Sequence, residues 1–244
     1  MCVLACAWRA HPRWEMILIG NRDELHARPA APLERWSDQP HVIAGRDLEA
    51  GGTWLGVSEE GRMAVVTNVA SPEGPQPDKA SRGALIADLL SGEGQYSDPA
   101  ENELEAFNPF NVIAIERGTA RLLTNRPNPQ QRDLDNGIYG LSNSAIEDNW
   151  PKTDRIKALL ADWLEADSGN LEDLFTALRA NDAPQVEPQR VRHSPLFIRN
   201  PVYGTRCSTV VTVDHTGSGS IVERRYDAEG AATGETRVAF RWAL

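Results

Sequence analysis

The chain has no long apolar run. None approaches the roughly 20 residues that a helix needs to cross a bilayer, so stable membrane insertion is not expected. Cysteine is scarce, with three among 244 residues: Cys2, Cys6 and Cys207. So small and odd a number builds no disulfide scaffold and fits a reducing, cytoplasmic setting. Cys2 and Cys6 fall on one expected strand, about 13 Å apart at about 3.3 Å per residue, beyond the reach of a disulfide. Positive charge is also short. Lys and Arg number 25 against 35 Asp and Glu, for a net charge of -10 and a pI near 5.0. Nucleic acids and anionic membranes reward basic patches, and the basic residues here are scattered. No CxxC, HExxH, P-loop, GxGxxG or CxxCH string occurs, so no metal centre, nucleotide site or attached haem is expected. The first residues lack a basic stretch followed by a long apolar one, so no secretory signal is expected.

What is present is 41% hydrophobic residues, enough for one sizeable core, and a single domain over residues 1–244 is expected. Residues 3–8 and 16–20 are almost continuously apolar, the mark of strands buried on both faces, joined as a hairpin. Residues 53–58 and 63–68 form a second expected pair, and 110–116 and 120–124 a third. Ser81 caps an expected helix with Leu85, Ile86, Leu89 and Leu90 on one face, stopped by Gly92. Pro151 opens another, with Ile156, Leu159, Leu160, Trp163 and Leu164 at 3.6-residue spacing, and Asn170 caps a third. Residues 182–201 read as a polar surface excursion. Residues 207–213 and 221–226 close the chain as a hairpin. Strands, then helices, then strands exclude a doubly wound parallel sheet.

Chemistry enters at the first two residues. Cysteine after the initiator methionine becomes N-terminal if Met1 is removed. Its α-amine, with a pKa of about 7.7–8.0, then sits on the same residue as a thiol and can take its proton. By itself the dipeptide reads more readily as the start of a buried strand. Other polar strings lie at expected strand ends: Asn21-Arg22-Asp23-Glu24, Arg28-Pro29, Asn68, Asn143 and Tyr203-Gly204-Thr205-Arg206. Each reads alone as a turn or a salt bridge. The glycines in the stretch GGTWLG at 51–56 allow close backbone approach.

Together, in this order, these strings resemble the NRDE family, also called the transport and Golgi organization protein 2 family, from Met1 to about Arg225. That family is in turn similar to N-terminal nucleophile hydrolases of the bile salt hydrolase and penicillin V acylase type. The resemblance implies a four-layer αββα sandwich, an α+β fold, and a cysteine that attacks an amide carbonyl. It implies Cys2 as nucleophile, Asp23 orienting the amine, Asn68 and Asn143 as oxyanion or amine-positioning residues, and Arg206 as a late active-site arginine. Asn21, Arg22, Glu24, Arg28 and Trp54 are the expected ligand-binding residues. The similar hydrolases carry an arginine three residues before the aspartate, where this chain has Gly20. Arg22, next to Asp23, is expected on the opposite strand face, away from the Cys2 thiol.

The leading expectation is an N-terminal cysteine amidohydrolase acting on a small amide or acyl substrate, with no required cofactor. The alternative, implied by the eukaryotic branch, is a non-catalytic protein that binds or traffics haem or an acyl-type ligand in the same pocket. His11, His26, His41, His193 and His215 are scattered, and no cysteine precedes a proline. The partner is a small molecule. Oligomeric state and ligand identity are not read from the sequence.

Overall fold

Alternation of side chains along fully apolar strands demands a hydrophobic layer on each face, and the structure supplies both. In this computed structural model, residues 2–148, 150–180 and 194–242 are described. Strands β1 (Cys2–Trp8) and β2 (Trp14–Leu25) lead the chain. They are followed by β3 (Ala30–Arg35), β4 (Val42–Asp47), β5 (Leu55–Ser58), β6 (Arg62–Asn68) and helix α1 (Arg82–Ser91). After a short 3-10 turn come β7 (Phe110–Glu116), β8 (Thr119–Thr124), β9 (Gln130–Asp133) and β10 (Gly137–Leu141). Helices α2 (Pro151–Ala166) and α3 (Leu171–Leu178) precede β11 (Tyr203–Asp214), β12 (Ser218–Tyr226) and β13 (Ala232–Arg241).

The strands form two antiparallel sheets, ordered β10-β1-β2-β11-β12-β13 and β3-β4-β5-β6-β7-β8-β9. Leu4, Cys6, Met16 and Leu18 of the first sheet meet Ile43, Met63, Val65 and Ile113 of the second in the central layer. The alternate residues Val3, Ala5, Ile17 and Ile19 pack under Ile156, Leu160, Leu174 and Phe175 of α2 and α3. On the far side Val42, Ala64, Val66 and Val112 pack under Leu85, Ile86 and Leu89 of α1. The result is the αββα sandwich, an α+β fold.

Three expectations need correction. Asn21-Arg22-Asp23-Glu24 does not follow β2 but belongs to it, and Tyr203 to Arg206 belong to β11. These polar residues hold ladder positions because strand pairing, unlike periodicity, does not require apolar side chains. β13 carries mostly exposed residues and has no apolar signal. Within the expected surface excursion, Leu196 and Phe197 are buried. Residues 182–193 of that excursion, His193 included, lie outside the described residues.

Asn21, expected to touch ligand, takes another position. It lies on the helix-facing side of β2, fully buried. Its Nδ2 donates to the carbonyls of Leu178 at 2.9 Å and Leu196 at 2.8 Å, and its Oδ1 accepts from Ser208 Oγ at 2.6 Å. It therefore ties the end of α3 and the approach to β11 onto the sheet. Asn21→Ala leaves two buried carbonyls without a donor, at about 1–3 kcal/mol each. Urea unfolding should show a loss of about 3 kcal/mol with an unchanged m-value. A loss below about 1 kcal/mol would mean that water replaces the amide there.

Candidate active site

The pairing register of the first sheet places one row of side chains on the face turned to the second. Cys2 pairs with Arg22, Arg22 with Cys207, and Cys207 with Arg225. All four line one cavity of about 450 Å³. Arg22 and Asp23 do point to opposite faces. Cys2, however, shares the face of Arg22, so the expected separation of Arg22 from the thiol is wrong. Leu4, Cys6 and Trp8 belong to the central layer, and alternation carries Cys2 to that same side.

Asp23 is buried beside the row. Thr205 Oγ1 donates to its Oδ1 at 2.6 Å, and Tyr203 donates its hydroxyl to the Asp23 carbonyl at 2.8 Å. Burial pushes the Asp23 carboxyl up to about 6, against the pull of the Thr205 hydroxyl and of the Lys152 and Arg22 charges. Burial also pushes the Cys2 thiol up. The Asp23 carboxylate adds to that rise, while Arg22 and the Asp23 backbone N–H oppose it.

Across the cavity stand Asn68 at the end of β6, the half-buried Trp54, and Ser81, Arg82 and Gly83 at the start of α1. The GGTWLG stretch brings α1 there. A Cβ on Gly52 would lie 2.2 Å from the Gly83 carbonyl carbon, so only glycine allows this crossing. Thr53 N donates to Gly83 O at 3.2 Å. Arg82 gives one N–H to Pro109 O at 2.9 Å. Burial draws its guanidinium below the ordinary value, while the Cys2 thiolate and Glu24 oppose that change.

Arg28 and Arg22 share one carboxylate. Arg28 Nε reaches Asp47 Oδ2 at 2.6 Å, and an Arg22 terminal nitrogen lies 3.4 Å from the same oxygen. Burial pushes Asp47 up, but Arg28 and the Ala50 amide hold it below the usual carboxylate range. Arg28 also meets Glu49 at 3.1 Å. Glu24 lines the cavity and accepts from its neighbour Leu25 N at 2.8 Å. Arg206 lines it too, with its guanidinium donating to the carbonyls of Leu25 at 2.8 Å and Arg28 at 2.9 Å. Asn143 is not on the wall. Its Nδ2 donates to Asn68 O at 2.8 Å and its Oδ1 accepts from Lys152 Nζ at 3.0 Å. Cys2, Asp23, Asn68 and Arg206 thus share the cavity, with Asn143 attached from behind.

Seven lining residues are Lys or Arg and four are Asp or Glu, so the wall is cation-rich in a chain of net charge -10. None of the described histidines lines it. Among the described residues no group of three His, Cys, Asp or Glu could hold a metal ion. The soft donors on the wall are the Cys2 and Cys207 thiols, both free and buried.

A model of the family "Transport and Golgi organisation 2" matches residues 1–228. The chain belongs to that family. It is similar to the Transport and Golgi organization protein 2 homolog of Homo sapiens, 29% identical over 271 residues and 97% of each chain. The Bos taurus homolog is 30% identical over 258 residues and 92% of each. In fold, the chain is similar to a mutant conjugated bile acid hydrolase from Clostridium perfringens, with TM-score 0.57 and 9% identity over 98% of this chain and 92% of that one. It is similar likewise to a Caenorhabditis elegans ortholog of N-acylethanolamine-hydrolyzing acid amidase, with TM-score 0.50 and 15% identity over 86% and 92%. These likenesses show an N-terminal nucleophile hydrolase fold.

Two basic residues of this family member escaped the sequence reading, Arg82 and Lys152. A signal existed for both. Lys152 precedes Ile156 and Leu160 by four and eight residues, and Arg82 precedes Ile86 and Leu89 by four and seven. Both spacings continue the apolar stripe of a helix.

The Asp23 carboxyl makes stability depend on pH. Its folded pKa of about 6 lies above its ordinary 3.8. The stabilising contribution is therefore complete below 3.8 and lost as pH rises through about 6. Asp23→Asn should lie about 3 kcal/mol higher in stability relative to wild type at alkaline pH than at pH near 4, at about 1.36 kcal/mol per unit. Thermal melts of both proteins across that window check this. A difference that stays constant with pH would exclude Asp23 as the titrating group.

Proposed function

We propose that the protein is an N-terminal cysteine amidohydrolase acting on a small amide or acyl substrate. The observation that carries the reading is the placement of Cys2. It is residue two of the chain, opens an inner strand of the sandwich, and presents its thiol to a cavity of about 450 Å³ beside Arg22. Two hydrolases whose names record action on an amide or a conjugated bile acid share the fold.

The reaction begins once Met1 is gone. The α-amine of Cys2 takes the thiol proton, and the sulfur attacks the substrate carbonyl. A C–S bond forms and the carbonyl oxygen gains negative charge. Asn68 and Arg82, which line the same cavity, are the donors assigned to this charge, and such donors gain strength in a water-poor site. The α-ammonium returns its proton to the leaving nitrogen as the C–N bond breaks. Water then attacks the thioester, releasing the acid and restoring the thiol. Asp23, buried between Thr205 and the Lys152 field, supports the charged amine. Arg206 lines the cavity and fixes the turn after β2 through one guanidinium nitrogen, bonded to the Leu25 and Arg28 carbonyls. The three free buried thiols support a cytoplasmic setting.

The test compares wild type with Cys2→Ser on a panel of N-acyl amides, with intact mass checking Met1 removal. Wild type should hydrolyse at least one member. Cys2→Ser should lose at least about two orders of magnitude in turnover, because a hydroxyl is a far weaker nucleophile at this position, while binding is retained. A protein that keeps Met1, turns over no substrate in either form and binds haem or an acyl ligand saturably in both would be a carrier.

A further inference from the structure

Strand β11 carries a bulge at the cavity. Thr205 pairs with Asp23 and Cys207 with Arg22, so Asp23 and Arg22, consecutive on β2, are opposed by three residues of β11, and Arg206 is the extra one. Side chains of a regular strand alternate, so neighbours point to opposite faces. Thr205 turns to Asp23, whose Oδ1 it bonds at 2.6 Å. Arg206 and Cys207 break the alternation, since both line the cavity. An extra residue of this kind leaves a ladder position unpaired and re-aims a side chain. Here it adds a guanidinium to a wall that already holds Cys207.

The added charge has no carboxylate. One terminal nitrogen of Arg206 donates to the carbonyls of Leu25 at 2.8 Å and Arg28 at 2.9 Å, and among the described residues Nε and the other terminal nitrogen meet no acceptor. Four other cations of the wall are paired. Arg22 and Arg28 share Asp47, Arg46 meets Asp38 at 2.9 Å, and Arg225 meets Glu223 at 3.1 Å. Arg82 and Lys79 resemble Arg206. They donate to the carbonyls of Pro109 and Glu105, each at 2.9 Å, and meet no carboxylate among the described residues. Glu24, which follows Asp23 on β2, gives its carboxylate to the amide of Leu25. Three cations anchored on main-chain carbonyls therefore face one cavity without a counter-ion. A concave wall of one charge sign concentrates ligands of the other. A guanidinium is planar and always charged, and two of its N–H groups match two oxygens of a carboxylate or phosphate. The Nε edge of Arg206 keeps such a pair of donors. Its backbone stands two strand spacings from that of Cys2, about 10 Å, so an anion held there belongs to a part of the substrate remote from the reacting carbonyl.

We propose that the substrate of this cavity is an amide carrying an anionic oxygen group, a carboxylate or a phosphate, and that Arg206, delivered by the bulge in β11, is the residue that selects it. Arg206 takes no part in bond breaking. Attack and proton transfer stay with Cys2 and its α-amine. The inference deepens the amidohydrolase reading and rests on it for the place of the reacting carbonyl.

The experiment reads binding in the Cys2→Ser protein, where no probe is consumed. Calorimetry compares N-octanoylglycine, which carries a carboxylate, N-octanoyl-2-aminoethyl phosphate, and the neutral N-octanoylethanolamine. One anionic probe should bind at least about tenfold tighter than the neutral one, the low end for hydrogen bonds to a charged group, and the tighter of the two identifies the group. Added salt should weaken that probe and spare the neutral one. Arg206→Gln should abolish the preference while the neutral probe still binds. Arg206→Lys should keep part of it, since the charge remains and the fork is lost. Equal affinity for all three probes, or no saturable binding of either anion at millimolar concentration, overturns the proposal, and neither result depends on an Arg206 variant that must fold. A preference that survives Arg206→Gln overturns it too, as does a loss shared equally by the neutral probe, which would mark Arg206 as structural. With Cys2 intact, hydrolysis of neutral and anionic amides at equal kcat/KM removes this inference alone. Anion preference in binding with no hydrolysis of any probe removes the amidohydrolase reading alone.

Discussion

Everything at the site depends on the register between β1 and β2. Leu4 opposite Gly20 and Cys2 opposite Arg22 are steps of one ladder. A slip of one residue would turn every side chain of β1 to the other face. Leu4, Cys6 and Trp8 would leave the central layer, and Val3, Ala5 and Ala7 would leave their cover under α2. Both faces are apolar and buried, so the slip is costly on each. The same constraint that builds the core therefore fixes the thiol beside a guanidinium on the cavity face, and the Asp23 carboxyl on the face below α2. A thiol at the free end of a less buried strand would have no such fixed neighbours.

The positive charge around the thiol comes from three directions. Arg22 belongs to the ladder itself, Arg82 arrives with α1 and Lys152 with α2. Position 20 of β2 is closed to a longer side chain. A Cβ on Gly20 would lie 3.0 Å from Leu4 Cβ and 3.1 Å from Val3 O, tighter than ordinary packing allows. Charge of the same sign reaches the site from Arg22 further along β2 and from the two helices. Each helix manages this in the same way, by extending its apolar stripe one turn toward its N-terminus and placing a cation on the extension.

Much of the fold was legible because burial leaves a pattern. The continuous apolar runs of β1 and β2 announced strands covered on both faces, and the stripes of α1, α2 and α3 announced their inward sides. Elements without a pattern were missed. β13 alternates between exposed and half-buried residues, and β9 has no buried residue. β9 exists through main-chain pairing to β8, which leaves no trace in side-chain hydropathy, and β13 adds to its pairing only Val238 and Phe240 against the central layer. At the site, Cys2 and Asp23 could be named from the order of the polar strings. The face of each could not, since that depends on where β1 meets β2. Asn21 illustrates the limit. An asparagine in a polar string reads as a ligand contact, but two carbonyls more than 150 positions away in the chain claim it.

Asn143 joins the two sheets at the end where the cavity opens. It follows β10 of the first sheet. Its Nδ2 reaches the carbonyl of Asn68 at the end of β6, and its own carbonyl accepts from Ala70 N at 2.8 Å. These two bonds hold the exits of strands from opposite sheets at a fixed separation. The central layer ends near here, so apolar packing no longer sets the spacing, and directional hydrogen bonds take over that task. With its oxygen on Lys152, one amide then ties three elements together: the first sheet, the second sheet and α2. Asn68 is left with its backbone engaged and its residue on the cavity wall, opposite the ladder that carries Cys2. Of the two asparagines, Asn68 is therefore the one on the cavity wall, and Asn143 the one that anchors it from behind.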